Sequence, residues 1–363
     1  MDTALASHAT MTTVIPCSEK WTWGFTPGCD MAGLRPFNQD LSRELSGPFG
    51  RRCLSRLLWK SFRFATLAML VLHNLHSWAG ELAVEIIGLP PLRILGQPAS
   101  AHTQGLELIA GHYYVTARRD DIRPRRALLL RTAPARTDWD VWDITPVDAQ
   151  GAVTALDHPG GMQSDGRRLW IPLAESKRNG RSIIRIFALA DMTAGRPLKS
   201  EFEFSVNDHI GALAVEARRG LVLGANWDTE TVYVWDLGGR LQRTLTRSDL
   251  EARGLGVAAS GEGRPGVAVQ DWKFVGAELV ASGLFRGSTP DSRSRLLSFE
   301  SFLESDSRKR VVALPLQQGT QLANEGMAVS DGAVYFLPED LGATNRLFRA
   351  RFADLFRKES GAP

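Results

Sequence analysis

At 363 residues, with 44% hydrophobic and 23% charged residues, the chain has the composition of an ordinary globular protein and is long enough to bury a full core. Its 43 basic and 40 acidic residues leave a formal net charge of +3, too small to indicate binding to nucleic acid or to an anionic membrane. Composition and charge therefore exclude a disordered or fibrous protein and predict no nucleic-acid partner.

The first 79 residues have the pattern of a leader followed by an export signal. Residues 1–50 are rich in Thr, Ser, Gly and Pro without helix or strand periodicity, and we interpret them as a disordered extension or an over-extended reading frame. Residues 51–79 combine a basic stretch, a short apolar run and a small-residue exit, the three parts of a signal peptide. An uncleaved anchor or an amphipathic helix is the alternative. We predict cleavage near Ala79, a periplasmic or secreted location, and no stable membrane span after processing.

The three cysteines, Cys17, Cys29 and Cys53, all precede the predicted cleavage site. The exported part, residues 80–363, therefore has no disulfide, thiol nucleophile or thiolate metal ligand. Any chemistry in it depends on histidine, carboxyl and amide side chains.

From Glu81 onward, short runs of β-branched and aromatic residues alternate with Gly, Asp, Asn and Pro clusters, which predicts many short strands. Five similar openings recur roughly every 50 residues, the length of one four-stranded propeller blade. The openings begin at His102, His158, His209, Gln270 and Asn324. The sequence therefore predicts an all-β, five-bladed β-propeller.

The two ends of the propeller region predict how its ring closes. The chain ends soon after the third strand of the fifth blade, whereas residues 82–87 form an extra strand before the first blade. That N-terminal strand supplies the missing outer strand of the last blade and leaves no long exposed edge. A six-bladed ring is the alternative, because divergent repeats are easily miscounted.

Two of these openings carry a resemblance to a known family. Residues 103–108, Thr-Gln-Gly-Leu-Glu-Leu, and residues 270–284, which begin Gln-Asp-Trp-Lys, resemble blade openings of the plant and bacterial glutaminyl cyclotransferases, which are five-bladed propellers. With its His-Pro-Gly-Gly and Asp-His-Ile-Gly openings, the run from residue 82 to 352 more closely resembles an uncharacterised group of secreted bacterial β-propellers.

The resemblance supports the fold better than the cyclotransferase activity. It implies a glutamate in the second blade opening, where a carboxyl group acts as acid and base. This chain has His158-Pro-Gly-Gly161 at that place. The remaining candidates for catalysis at the channel are Glu325, Asp271 and Gln104.

Three of the four histidines after the signal open successive blades. Because opening strands line the central channel, His102, His158 and His209 are expected to converge at one end of it. Three neutral imidazoles are a ligand set for zinc or another divalent transition metal, with a position left for water or substrate. The alternative is that each histidine caps its own turn by bonding backbone groups.

Two classes of function follow from these residues. One is a hydrolase or lyase that acts on a small-molecule or peptide ligand at the channel mouth, with the histidines holding a metal. The other is a non-catalytic ligand- or protein-binding propeller, in which the ring is a rigid platform for loops. Glutaminyl cyclotransferase activity is a third and weaker candidate.

Overall fold

The computed structural model describes residues 82–256, 266–286, 293–304 and 307–356. The predicted leader and signal peptide lie outside the described residues. Among the helices in these ranges, none is long and apolar enough to cross a membrane.

The described chain begins with a strand that pairs far away in sequence and then enters the first two blades. Three strands precede the first blade: β1 (Val84–Leu89), β2 (Arg93–Ile94) and β3 (Gln97–Pro98). Blade 1 contains β4 (His102–Ile109), β5 (His112–Arg119), β6 (Arg126–Thr132) and β7 (Asp140–Asp143). Blade 2 contains β8 (His158–Pro159), β9 (Gln163–Ser164), β10 (Arg168–Ala174), β11 (Ser182–Ala188) and β12 (Phe202–Val206).

The remaining blades repeat the same antiparallel order from the inside to the outside. Blade 3 contains β13 (Ile210–Glu216), β14 (Leu221–Asn226), β15 (Val232–Asp236) and β16 (Leu241–Leu245), followed by the helix α1 (Arg247–Ala252). Blade 4 contains β17 (Gly266–Val275), β18 (Glu278–Arg286), β19 (Ser294–Glu300) and β20 (Arg308–Ala313). Blade 5 contains β21 (Gly326–Ser330), β22 (Ala333–Leu337) and β23 (Asn345–Arg351), and the helix α2 (Phe352–Leu355) follows it.

The ring is closed by its N-terminal strand. Strand β1 is the outermost strand of blade 5 and pairs antiparallel with β23, from Val84 opposite Ala350 to Leu89 opposite Asn345. The predicted five blades and the predicted closing strand are both confirmed, and the six-bladed alternative does not apply.

The core lies between blades, as expected for sheets that pack face to face around an axis. The buried apolar side chains of the described residues form clusters at each of the five interfaces between neighbouring blades, including the interface that joins blade 5 to blade 1. The equivalent apolar residue of every inner strand is fully buried in this core: Leu106, Met162, Leu213, Trp272 and Met327. Blade packing therefore fixes the inner strands, and with them the residues around the axis.

Candidate functional site at the channel mouth

A bulge at the same point of three inner strands forms the layer at the mouth of the channel. The pairing of the inner strand with its neighbour skips one residue at Gln104, at Gly211 and at Gln270. A bulge takes the extra residue out of the ladder and re-aims its side chain. Blade 2 is interrupted between β8 and β9 at the corresponding place, and the corresponding residue of blade 5 directly precedes β21. Each blade thus contributes one residue to this mouth layer: Gln104, Gly160, Gly211, Gln270 and Glu325.

Asp271 closes the axis one layer below the mouth. The other four blades have small residues at the equivalent position: Gly105, Gly161, Ala212 and Gly326. Asp271 is fully buried, and its carboxylate accepts hydrogen bonds from Leu106 N (3.3 Å), from Met327 N (3.0 Å) and from the Lys273 ammonium group. A Cβ at Gly161 would lie 2.5 Å from Asp271 Oδ1, so this neighbour has to be glycine. Asp271 was a predicted catalytic candidate, but its geometry is that of a residue joining blades 1, 4 and 5, and we assign it no catalytic role.

The other two catalytic candidates, Gln104 and Glu325, do lie together in a chain of hydrogen bonds at the mouth. The guanidinium of Arg118 on β5 donates to Nδ1 of His158 and is itself held by both carboxylate oxygens of Asp120, at 2.8 and 3.0 Å. His158 therefore carries its proton on Nε2, which donates to Gln104 Oε1 at 3.0 Å. The Gln104 amide group then donates to Glu325 Oε2 at 3.4 Å.

Glu325 is a carboxylic acid in this environment. Only 9% of the residue is exposed, and burial raises the pKa of its side chain to about 8. Its Oε1 atom accepts a hydrogen bond from the Asn324 amide at 3.0 Å. Near pH 7 the Glu325 carboxyl is therefore protonated, and it can donate that proton to a group bound in the mouth.

His102 pairs with an acidic residue that the sequence analysis missed. Its Nδ1 atom lies 2.7 Å from Oδ1 of Asp340, which lies between β22 and β23. This hydrogen bond raises the pKa of His102 and lowers that of Asp340. The loop is tied to β4 by Thr103, whose hydroxyl donates to the Glu339 carbonyl oxygen at 2.9 Å. His102 and Asp340 thus form an aspartate–histidine dyad, in which Nε2 of His102 is the nitrogen that can exchange a proton with a ligand.

The other two aligned histidines lie side by side. The His158 and His209 ring centroids are 5.2 Å apart, and the Trp227 ring is 4.5 Å from that of His209. Nδ1 of His209 lies 2.8 Å from the Glu175 carbonyl oxygen, so it carries the ring proton and donates it. Burial lowers the pKa of His209, and burial together with the Arg118 charge lowers the pKa of His158 well below its usual value. Both imidazoles are therefore neutral near pH 7.

In this arrangement the three histidines do not fit a shared metal site. The unprotonated nitrogen of His158 already accepts a hydrogen bond from Arg118, and a metal ion there would have to displace that cation. The Nδ1 atoms of His102 and His209 are bonded to Asp340 and to a backbone carbonyl group, which leaves only the two Nε2 atoms of these residues as ligands. Within the described ranges, no group of three or more His, Cys, Asp and Glu side chains could hold a metal ion. We derive no chemical step through a metal.

The three-histidine site nevertheless stays a prediction that elemental analysis can test. From the hydrogen bonds we expect no stoichiometric metal in protein dialysed against zinc and then against buffer. The three-histidine prediction would be supported if the parent protein held one equivalent of zinc and each of His102→Ala, His158→Ala and His209→Ala lost it. His112→Ala is the matched control, because His112 lies on β5, outside the mouth layer.

Comparisons with known proteins add a family match. The model of a family described as a family of unknown function (DUF6454) matches residues 145–344. No curated protein matches the chain. A solved structure of a nidogen/laminin complex is similar at 11% identity and a TM-score of 0.39, over 70% of this chain and 85% of that one. The phage phi92 endosialidase is similar at 7% identity and a TM-score of 0.38, over 78% and 70%. These scores are too low to support an argument about function.

Proposed function

We propose that this chain, which belongs to the family of unknown function DUF6454, is a hydrolase or lyase that works by general acid–base catalysis at the mouth of the propeller channel. The proposal depends on one observation, the chain of hydrogen bonds from Arg118 through His158 and Gln104 to the buried carboxyl group of Glu325. Such a network holds a proton donor in a fixed place and orientation, as a general acid requires.

Glu325 acts as the general acid. Its carboxyl group is protonated near pH 7, and Glu325 belongs to the mouth layer, where a substrate can meet it. Environments that move the pKa values of neighbouring groups apart are typical of acid–base sites. Here burial keeps the proton on Glu325, while burial and Arg118 keep His158 neutral.

The dyad of His102 and Asp340 acts as the base. Asp340 fixes the ring so that Nε2 of His102 is the reactive nitrogen, and the dyad is open to solvent, with 31% and 63% of the two side chains exposed. In hydrolysis, His102 takes a proton from water while Glu325 gives its proton to the leaving group. In elimination, His102 takes the proton from a substrate carbon instead. In both cases one proton is taken up and one is given, so the pair returns to its starting state after exchange with solvent.

Substrate enters and product leaves by the same face, because Asp271 and the backbones around it close the axis below the mouth layer. This geometry suits a small molecule or the end of a peptide better than a polymer threaded through the ring. From the signal-like segment, residues 51–79, we place the reaction outside the cytoplasm.

A panel of chromogenic esters, amides, glutaminyl peptides and glycosides, together with an ultraviolet assay for unsaturated products, tests the acid role. For a substrate that is turned over, we expect Glu325→Gln to lower kcat by about 10²–10⁴-fold. The pH–rate profile should be bell-shaped. Its alkaline limb reports the loss of the acid's proton as pH rises through about 8, and its acidic limb reports protonation of His102.

Glu85→Gln, on the outer strand β1, is the matched control and should leave kcat unchanged. Difference infrared spectra give a second reading, because a protonated carboxyl band at pH 7 should disappear in Glu325→Gln. If that band is absent from the parent protein, or if Glu325→Gln keeps its kcat, the acid role is wrong. A protonated Glu325 in a protein that turns over no member of the panel would favour the non-catalytic binding propeller.

A further inference from the structure

Trp227 is a partly exposed aromatic residue at the rim of the mouth. It directly follows strand β14, and its backbone N–H donates to the His209 carbonyl oxygen at 3.1 Å. Its ring centroid lies 4.5 Å from that of His209 and 6.5 Å from that of His158. The indole therefore borders the same space as the neutral imidazoles of the site.

The backbone after Trp227 is held in an unfavourable conformation. Asp228 and Thr229 both have φ of 59°, in the left-handed region that non-glycine residues rarely adopt. Each such residue costs about 1–3 kcal/mol and persists only where surrounding contacts impose it. Here Asp228 is bonded to Arg178 and Arg286, and the Thr229 hydroxyl accepts a hydrogen bond from a backbone N–H of blade 4 at 3.0 Å. Contacts to blades 2 and 4 thus hold the backbone that carries the indole.

Open space also lies at Gly211, two residues after the His209 that contacts Trp227. A Cβ built at Gly211 meets no atom within 4 Å, whereas one built at the neighbouring Gly160 would lie 2.2 Å from the Gly211 carbonyl oxygen. Gly211 is the bulge residue of β13, equivalent to Gln104 of β4. The mouth layer therefore has an open space beside Gly160 and Gly211, which we call the cradle. In the other three blades a side chain occupies the corresponding place.

The groups that border this cradle are uncharged near pH 7. His158 and His209 are neutral, Glu325 is protonated, and the bulge residues Gln104 and Gln270 are carboxamides. The Arg118 charge is paired with Asp120 and turned toward His158. The nearest charges are already paired, Arg118 with Asp120 and Arg178 with Asp228, so a charged ligand would have to break an ion pair. Hydroxyl groups can both donate to and accept from carboxamides and neutral imidazoles.

We propose that the space between Trp227 and Gly211 is a subsite for an uncharged, hydroxyl-rich ring such as a pyranose sugar. The apolar face of the ring packs on the indole, and its hydroxyl groups bond to the carboxamides of the mouth layer. The inference rests on the proposed function, since it names the substrate class of the same site. In this arrangement the substrate bond to be broken lies on the side of the sugar ring that faces Glu325.

Saturation-transfer NMR and calorimetric titration with neutral sugars test the subsite. The probes are the methyl glycosides of glucose, galactose and mannose and N-acetylglucosamine, with glucuronate and glucosamine as charged counterparts. We expect binding of at least one neutral sugar and none of the charged ones. Trp227→Ala should weaken that binding by at least about tenfold. Gly211→Val should do the same by filling the cradle.

Gly88→Val is the matched control for Gly211→Val, because a Cβ at Gly88, on the outer strand β1, also meets nothing within 4 Å. It should bind sugar as the parent protein does. Trp227→Phe keeps an aromatic ring at the rim and should bind better than Trp227→Ala. The unfolding midpoint of each variant shows whether weaker binding comes from a lost contact or from unfolding. The inference is overturned if no neutral sugar binds, if charged sugars bind equally well, or if Gly211→Val binds like the parent.

Glu325→Gln distinguishes this inference from the proposed function. Because the amide is uncharged and nearly the same shape as the protonated acid, Glu325→Gln should still bind the sugar. Sugar binding with unchanged turnover in Glu325→Gln would refute only the acid role. The opposite result is that no sugar binds, while the protein turns over a substrate that is not a sugar and Glu325→Gln loses that turnover. This result would refute only the substrate class.

Discussion

A chain that begins at Gln97 is expected to unfold at least about 10 °C below one that begins at Glu81, or to precipitate. The missing segment contains β1, which pairs with β23 along all 6 of its residues, and it buries Leu89 and Leu92. Each buried leucine that is lost costs about 2–5 kcal/mol. Each kcal/mol lowers the melting temperature of a domain of this size by about 2–4 °C. The free edge of β23 also becomes a site for aggregation.

Adding the missing segment back as a peptide shows whether the lower melting temperature is caused by the loss of ring closure. A peptide of residues 81–96 added to the shortened chain should raise its melting temperature, measured by circular dichroism, by restoring the strand in trans. A peptide of the same composition in scrambled order should not. Equal melting temperatures for the two chains would show that the ring does not depend on its N-terminal strand.

The blade number and the closure could be predicted from the sequence because both follow from local patterns that repeat. Every blade opening leads into a buried apolar residue, and the first and last share the order polar, small, apolar, as Gln104-Gly-Leu and Glu325-Gly-Met. The unpaired strand before blade 1 and the missing strand after blade 5 then leave one way to close the ring.

The same repeats predicted part of the mouth. Gln104 and Glu325 meet there because Gln104 is the bulge residue of blade 1 and Glu325 takes the corresponding place in blade 5, directly before β21. Arg118 and Asp340 were missed because they lie outside the openings, on a second strand and in a loop. Asp340 meets His102 across 238 residues of sequence. One chain without aligned relatives carries no signal of that contact.

Asp271, a catalytic candidate from the sequence, lies one layer below Gln104 and Glu325 for a reason that the sequence does contain. Aligned on the buried apolar residue that follows, Asp271 of Asp-Trp matches Gly105 of Gly-Leu and Gly326 of Gly-Met, not the polar bulge residue before them. One carboxylate among equivalent small residues indicates a side chain that fills the axis. A shift of one residue in the repeat thus separates a side chain on the closed axis from one in the mouth layer.

Asp271→Ala is expected to destabilise the protein by about 3–5 kcal/mol, measured by urea unfolding. The change leaves the Lys273 ammonium group buried without its partner and removes the acceptor for the backbone N–H groups of Leu106 and Met327. Lys273→Met should cost less, because the Asp271 carboxylate keeps its backbone donors. The double variant Asp271→Ala/Lys273→Met should be more stable than the sum of the two single changes predicts, since it removes both buried charges together.

Glu201→Ala is the control for loss of an ion pair without loss of a buried contact. Glu201 pairs with Arg168 at the surface, and both side chains are more than 40% exposed, so its removal should hardly change the unfolding midpoint. If Asp271→Ala unfolds at the same urea concentration as Glu201→Ala, the carboxylate does not join the blades. In that case its buried position on the axis, below Glu325 and Gln104, would require a different explanation. If instead the cost is large while sugar binding at the mouth survives in the folded fraction, Asp271 supports the ring and takes no part in the site.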